Sequence, residues 1–599
     1  GADYAPDKED QGIEDHTISL INELGQYEIL NQDLSGLDRA EDIREVPTEL
    51  DTIVGSIQQI FDNLGVEPLP RPWLPPLKER IGLPFRDFKK EWTKSQKGLT
   101  FTIGIADMPY EQKQEEIRID LVSDGHVALF GGPGTGKSSF LQTAVLSLAR
   151  RYTPEELEIY LVDFGTSGLS PLRPLPHVAD NFLLDQADKI RKLVKRLSDL
   201  YQYRKRLLAK EGVATLEMYE QVTHKSQPHI LVVIDNYESM KDEPFELEVY
   251  NLLLSLARDG VALGIHLLIT AGRQIDLRVA LHSNIKTQLT LKQNDSSEVT
   301  NIVGSTPLRH MDDIKGRALM AREQVDLVQF YLPFDVTNAI DMSDEFKQES
   351  QKMANRWTGE LPRPIPMVPE ILTEPDLQGR SESLAIVKNK NVVLGLDKES
   401  VSVTGWNRRY SNLLHLTNHQ NHMEALLHYI LESPAIKDEK VFVFAPNFNN
   451  LPEQKGYELL SGENSVKEML DAMQLRISER YEEKNYDNEA FIIFYDFASF
   501  VSERDLQQNE KLAYIIEKGR NVGYTILILS DGSLSTKIDS ASKAVKATKQ
   551  MVIDMRLMDQ QIVTAINKTS REPLLGFQEQ YFVKDRIAQK LQVTYTEGD

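Results

Sequence analysis

Apolar residues fall in two kinds of block along this chain. From about residue 100, short runs that are apolar at nearly every position alternate with longer stretches whose apolar residues recur every three to four. The runs predict strands at His126–Phe130, Glu158–Asp163, His229–Asp235 and Gly264–Thr270, and the stretches predict helices at Lys137–Arg150, Ala187–Lys210 and Phe245–Arg258. A strand that is apolar on both sides has to be covered on both faces, so the alternation implies a parallel sheet between two helical layers.

The pattern then restarts. Leu361-Pro362-Arg363-Pro364 repeats Leu69-Pro70-Arg71-Pro72, each opening a proline-rich run that excludes helix. A strand at Asn412–Leu416 leads into a helix at Glu424–Glu432, and further apolar strands follow at Val441–Ala445, Phe491–Asp496 and Thr525–Ser530. Gly523-Tyr524-Thr525-Ile526 lines up with Gly264-Ile265-His266-Leu267. The reading is a tandem duplication, with the second copy shorter between its first and third strands. It predicts an acidic, helical and proline-rich segment at 1–90, one α/β module at 91–345 and a second at 346–599. Each module is expected to be an α/β fold, a mostly parallel sheet with helices on both faces.

Composition narrows the class. A chain of 599 residues is too long for one core. No apolar run reaches 18 residues, and no signal peptide is visible. Gly1-Ala2 without a Met reads as a cloning scar on a fragment of a longer protein. The absence of cysteine excludes disulfides and Cys-ligated zinc. A net charge of −23 argues against a nucleic-acid grip, which needs a basic face, and keeps a large protein dissolved.

The most specific chemistry is Gly131-Gly132-Pro133-Gly134-Thr135-Gly136-Lys137-Ser138, which fits G-x-x-x-x-G-K-[ST] between a strand and a helix, with Ser139 next in the same set. Glycines let backbone N–H groups close on phosphates, and the helix N-terminus adds partial positive charge. Lys137 is expected to reach the β- and γ-phosphates of ATP, and Ser138 to ligate Mg²⁺. A strand ending in an acid should stand beside it, and His229–Asp235 supplies one, making Asp235 the second Mg²⁺ residue. Asn236 follows, able to orient a water but not to take its proton, and Glu238 is the candidate to replace a base there, the alternative being a solvated loop carboxylate. Thr270, ending the next strand, is a candidate γ-phosphate sensor or an ordinary strand terminus.

On the second copy, Thr417–Glu424 falls on the P-loop positions. Every glycine is gone, Met423 stands for the lysine, and Glu424 stands for the Mg²⁺ serine. Tyr495, followed by Asp496, stands for Asp235. A carboxylate at 424 repels phosphate, so this module is expected to bind little nucleotide and hydrolyse none. His415, His419 and His422 read as polar loop residues rather than a metal cluster.

Val162-Asp163-Phe164-Gly165, Leu169, Leu172, Pro176-His177-Val178 and Gly264-Ile265-His266-Leu267 resemble the signatures of FtsK/SpoIIIE-type motors. Val46–Asp51, Pro72–Leu77 and Gly125-His126-Val127 entering the P-loop resemble, more narrowly, the coupling ATPases of type VII secretion, the EssC/EccC family. The resemblance implies two tandem P-loop NTPase domains of RecA/FtsK-like fold, the last two ATPase modules, D2 and D3, of a motor at the cytoplasmic face of the bacterial cell membrane. Its implied substrates are WXG100-like proteins and toxins. Contacts with other modules of the same motor, a hexameric assembly, a membrane link only through upstream segments and no nucleic acid are implied as well. Many such motors carry a Glu after the acid of the third strand, where this chain has Asn236. They often carry Gly-Arg before the Gly-Ile-His strand. The first copy has Gly260-Val261 and the second Gly519-Arg520, so Arg520, with Arg258 and Arg273, is a candidate to act across modules or an ordinary surface charge.

Three functions compete on these residues: a protein-export ATPase with slow or assembly-dependent turnover, a DNA translocase, and a non-hydrolytic module clamped by ATP.

Overall fold

The computed structural model describes residues 18–29, 48–65, 74–94, 97–445, 456–559, 572 and 574–596. It divides into two compact units, Gly1–Pro76 with Pro109–Lys113, and the rest of the chain.

In the first unit the helical expectation for the N-terminal segment holds only in part. β1 (Ser19–Ile21) and β2 (Tyr27–Ile29) form an antiparallel hairpin instead. The turn decides this: Asn22 Oδ1 accepts from Leu24 N at 3.0 Å and Gln26 N at 2.9 Å, and Gly25 takes φ +78. Glu49–Leu64 is a helix, started by a Thr48–Asp51 capping box and stopped at Gly65 in the left-handed region. Leu50, Ile53, Ile57, Ile60, Phe61 and Leu64 are all exposed on it. Most of the first proline run and the Val46-Pro47 pair lie outside the described residues.

The second unit holds two sheets of ten strands. The first contains β3 (Thr100–Met108), β4 (Lys113–Asp120), β5 (Val127–Phe130), β6 (Leu157–Asp163), β7 (Val178–Leu183), β8 (His229–Asp235), β9 (Ile265–Ala271), β10 (Thr287–Leu291), β11 (Arg317–Ala321) and β12 (Val325–Phe330). The second contains β13 (Val392–Asp397), β14 (Val403–Trp406), β15 (Leu413–Thr417), β16 (Val441–Phe444), β17 (Tyr457–Leu460), β18 (Ala490–Phe494), β19 (Tyr524–Ser530), β20 (Gln550–Asp554), β21 (Glu579–Lys584) and β22 (Ile587–Gln592). Their orders are 4-3-12-11-10-5-9-8-6-7 and 14-13-22-21-20-15-19-18-16-17. Each strand of the second sheet is thus its counterpart in the first with ten added, and the duplication is complete down to strand order.

The six strands from β10 to β7 are parallel, and β5, β8 and β9 are buried throughout apart from half-buried His229. Antiparallel β11 and β12, pairing on to β3, extend the sheet beyond what the apolar runs announced. Two separate cores fill its faces. One gathers Phe140, Leu141, Ala144 and Leu148 of the helix Lys137–Arg151 with Phe346 and Met353 of Ala339–Arg356. The other gathers Ile190, Leu193 and Leu197 of Ala187–Glu211 with Leu252 and Leu256 of Glu246–Asp259. Arg150 bridges the first pair of helices by a buried fork on Glu349, at 2.6 and 2.7 Å.

The modules meet along the helix Ala187–Glu211. Lys192 Nζ donates to Pro366 O at 2.6 Å, and Arg196 to Arg363 O and Pro364 O at 2.6 and 3.0 Å. Ile365 N donates to Asp180 Oδ2 at 2.9 Å, while the Ile365 side chain is buried in the core of the first module. The prolines keep this segment extended, which leaves its carbonyls open to the helix.

Candidate nucleotide site at the P-loop

β5 ends at Phe130 and the helix begins at Lys137, so the glycine-rich segment spans the top of the sheet. Gly134 and Gly136 take φ +74 and +116, values that a side chain would strain. Neighbours brace the loop: Gly131 N donates to Ala271 O at 3.1 Å, Gly132 N to Lys292 O at 3.3 Å, and Gly316 N to Thr135 O at 2.9 Å. Pro133 and Ser139 line the space above it.

Lys137 is buried, and its ammonium is folded back onto Gly131 O at 2.8 Å and Gly132 O at 3.2 Å. Among the described residues it forms no ion pair with a carboxylate, so the loop holds a cation that an anion above it can claim. Ser138 Oγ donates to Asp235 Oδ2 at 2.5 Å, and Thr270 Oγ1 donates to Asp235 Oδ1 at 2.5 Å. The Thr270 hydroxyl also accepts from Asn236 N at 3.0 Å. The first turn of the helix and the end of β9 therefore converge on one buried carboxylate at the end of β8. Ser138 and Asp235 are the pair that would hold Mg²⁺, and the hydroxyl–carboxylate contact suits that ion. The metal would neutralise phosphate charge and orient its oxygens.

Asn236 sits at φ +55, and its side chain lies so close to Gly165 that a Cβ there would fall 2.1 Å from the amide nitrogen. Gly168 is constrained likewise, its absent Cβ falling 2.8 Å from Ser138 Oγ. Glu238 lines the cavity and is not a solvated loop residue: its Oε2 is buried without a hydrogen-bond partner, and burial pushes its carboxyl above the usual range. Asp163, read in the sequence only as part of a signature, stands level with Asp235 across β6 and β8 and accepts from Leu169 N at 2.8 Å. Burial, with Asp235 nearby, raises its carboxyl too. A second apolar strand ending in Asp was the available signal.

The cavity above these groups measures about 1260 Å³ and runs from the P-loop to Arg80, Val336, Asn338 and Met342 on one side, and to Arg273, Asp295 and Glu298 on the other. Apart from Arg273, sequence reasoning missed this rim, because its residues belong to no motif. Arg273 stands at its own module's cavity, in ion pairs with Asp276 at 3.3 Å and Glu298 at 3.9 Å. Arg258 is exposed at the end of its helix. Arg520 is tied within its own module, to Arg409 O at 2.8 Å and Asn521 Oδ1 at 2.9 Å.

At the corresponding place in the second module the helix starts at Gln420, so the residues aligned with Gly134–Gly136 form a helical turn. Without glycine there, the chain takes the helix it would otherwise reach three residues later. Tyr495 OH donates to Glu424 Oε1 at 3.4 Å, where the first module has Ser138 on Asp235. Asp496 takes φ +48 as Asn236 does. Thr417 and His422 both bond Asp554 Oδ2, at 2.8 and 2.6 Å. His415 is fully buried, and no described group of three or more such residues is arranged to hold a metal ion. A cavity of about 350 Å³, with Met423 and Tyr495 in its wall, is what remains.

Residues 89–321 match the FtsK/SpoIIIE family. The chain is 30% identical over 604 residues to the type VII secretion system protein EssC of Staphylococcus aureus (strain MRSA252), covering 99% of this chain and 40% of that protein. It thus spans well under half the length of this relative. It superposes on ATPases 2 and 3 of EssC from Geobacillus thermodenitrificans with a TM-score of 0.75 and 26% identity, covering 88% of this chain and all of that one. ATPases 2 and 3 of Thermomonospora curvata EccC, solved in complex with a signal sequence peptide, share the fold with a TM-score of 0.55 and 22% identity. The chain therefore belongs to the FtsK/SpoIIIE family of P-loop ATPases, in its type VII secretion branch, and its two modules match ATPases 2 and 3 of EssC.

Proposed function

We propose that the first module binds one Mg-ATP and hydrolyses it slowly to drive movement between modules of a protein-export motor, and that the second module docks the exported protein. The observation that carries the first half is the Ser138–Asp235–Thr270 convergence beside Lys137. Lys137 leaves its loop carbonyls for the β- and γ-phosphates, the loop N–H groups surround the same oxygens, and Thr270 registers the state of Asp235. Asn236 cannot accept a proton, whereas Glu238, raised by burial, is a better proton acceptor near neutral pH than an ordinary carboxylate and takes the proton of the attacking water. Arg80 and Met342, in the wall of the same cavity, leave space beyond the loop where the nucleoside would lie. Phosphate release by the chain, measured against Lys137→Ala, tests this: a Mg²⁺-dependent rate well above the variant is expected, and equal rates favour the non-hydrolytic clamp. The net charge of −23 speaks against the DNA translocase.

The repeat supports the docking half. Strand register carries Asp180, which holds the extended segment Leu361–Pro366, onto Glu458 in β17. Glu458 and Leu459 are exposed. Arg204 and Arg480 bond the turns before β9 and β19 alike, which aligns Lys192 and Lys195 with Glu468 and Asp471. Among the described residues, the second module thus leaves uncovered the edge that the first module fills with its own linker, with acids in place of lysines. An extended segment of an exported protein with an apolar anchor and a basic neighbour suits it, and WXG100-like proteins and toxins are the substrates the family suggests. Glu458→Lys is expected to weaken capture of such a substrate about tenfold at unchanged ATP turnover. Undiminished capture rejects this edge as the site.

A further inference from the structure

At the opposite end of the second sheet from its erased P-loop, the segments preceding β13, β15, β18 and β19 enclose a cavity of about 460 Å³. We infer that this cavity is a binding site for a small phosphate-bearing anion. Four cationic side chains line it, Lys390, Arg408, Arg409 and Arg520, against the carboxylates Glu439 and Asp487. In a chain of net charge −23 such a concentration is out of keeping with the rest of the surface.

The cations differ in role. Arg408 is the frame: nearly fully buried, it forks onto Glu439 at 2.8 and 2.5 Å, lies 5.2 Å over the Phe491 ring and donates to Lys390 O at 3.1 Å. Its Nε is buried and has no hydrogen-bond partner among the described residues. That fork cancels Glu439, leaving Lys390, Arg409 and Arg520 against Asp487 alone. Arg520 donates to the Arg409 carbonyl at 2.8 Å, which fixes the two guanidinium-bearing residues side by side. Neither the Arg409 guanidinium nor the Lys390 ammonium has a hydrogen bond or ion pair among the described residues. Like charges held together repel, and an anion between them removes that cost while supplying acceptors for planar guanidinium forks. The volume falls in the range of small-ligand pockets and suits a phosphate or pyrophosphate group better than a long acidic peptide.

The first module provides an internal control. Six residues separate β4 from β5 and six separate β14 from β15, so Arg408 and Arg409 correspond to Val122 and Ser123. Gly519-Arg520 corresponds to Gly260-Val261, each preceding its strand by the same interval. The cationic corner therefore belongs to the module whose P-loop was lost, and no common structural requirement of the fold explains it.

The test is calorimetric titration of pyrophosphate into the full chain carrying Lys137→Ala, which silences the P-loop. Binding is expected, weakened at least tenfold by adding Arg409→Ser and Arg520→Val, the first-module residues, and unchanged by adding Lys543→Ser, which removes a charge elsewhere. Both cavity substitutions lie at accessible positions, and an unchanged unfolding transition shows that the fold survives them. The inference is overturned if Lys137→Ala binds no pyrophosphate, if the double substitution leaves the affinity unaltered, if Lys543→Ser weakens it equally, or if hexaglutamate binds while pyrophosphate does not.

Discussion

Asp235 carries the residue-scale argument, since Ser138 and Thr270 reach it from two other elements. Its importance was legible because an apolar strand ending in acid is a readable pattern. Glu238 was legible only as a possibility, because whether a loop carboxylate faces solvent or a cavity depends on the chain that folds over it. The orphaned Oε2 and the cavity wall resolve that ambiguity. If Glu238 receives the water's proton, Glu238→Gln lowers phosphate release by about 10²- to 10⁴-fold and leaves Mg-ATP affinity within about twofold, while Asn236→Ala costs less. A greater loss in Asn236→Ala reverses the assignment.

At the scale of elements, the buried parallel strands announced themselves and the antiparallel edge did not. β10, Thr-Gln-Leu-Thr-Leu, mixes polar and apolar residues, and its burial comes from β5 and β11 on either side rather than from its own composition. The hairpin at β1–β2 was lost to an acidic composition that resembled helix. Strand ends also concentrate buried histidines. His126 Nδ1 accepts from Leu267 N at 3.0 Å, and its Nε2 meets Leu256 O at 2.9 Å. His229 Nδ1 lies 3.0 Å from His266 Nε2, with Arg204 close by. Burial lowers His126, His177 and His229 from 6.5 to about 4, and lowers His266 well below 6.5, whereas the second module has His415 alone in this condition. A histidine whose folded pKa is depressed stabilises the fold above its unfolded pKa. That contribution is lost as pH falls from about 6.5 toward 4, by a few kcal/mol per residue at the lower end. The raised carboxyls of Asp163 and Glu238 act in the opposite sense, but they are fewer. Chemical unfolding followed between pH 7 and 5 should therefore show the first module's transition falling faster than the second's. Parallel decline contradicts this.

Across the whole molecule, two copies of one fold have parted in chemistry while keeping the same strand order. The duplication could be read from spacing, because strand and helix periods survive when side chains change. The manner of the loss could not. Thr417–Glu424 has the length of a P-loop, yet its middle is wound into helix, so restoring single residues does not restore the cradle. The rim of the working cavity was equally hidden, since Arg80 and Met342 are brought to it by tertiary packing from distant points in the chain. In the proposed function, the first copy uses the shared shape for nucleotide and the second leaves it open to other ligands. Equilibrium titration of a non-hydrolysable ATP analogue, with and without Mg²⁺, tests this division most directly. The account predicts one Mg²⁺-dependent site per chain, abolished by Lys137→Ala and still one in the Met423→Lys/Glu424→Ser double variant. Two Mg²⁺-dependent sites in the unaltered chain, or one that survives Lys137→Ala, would contradict it.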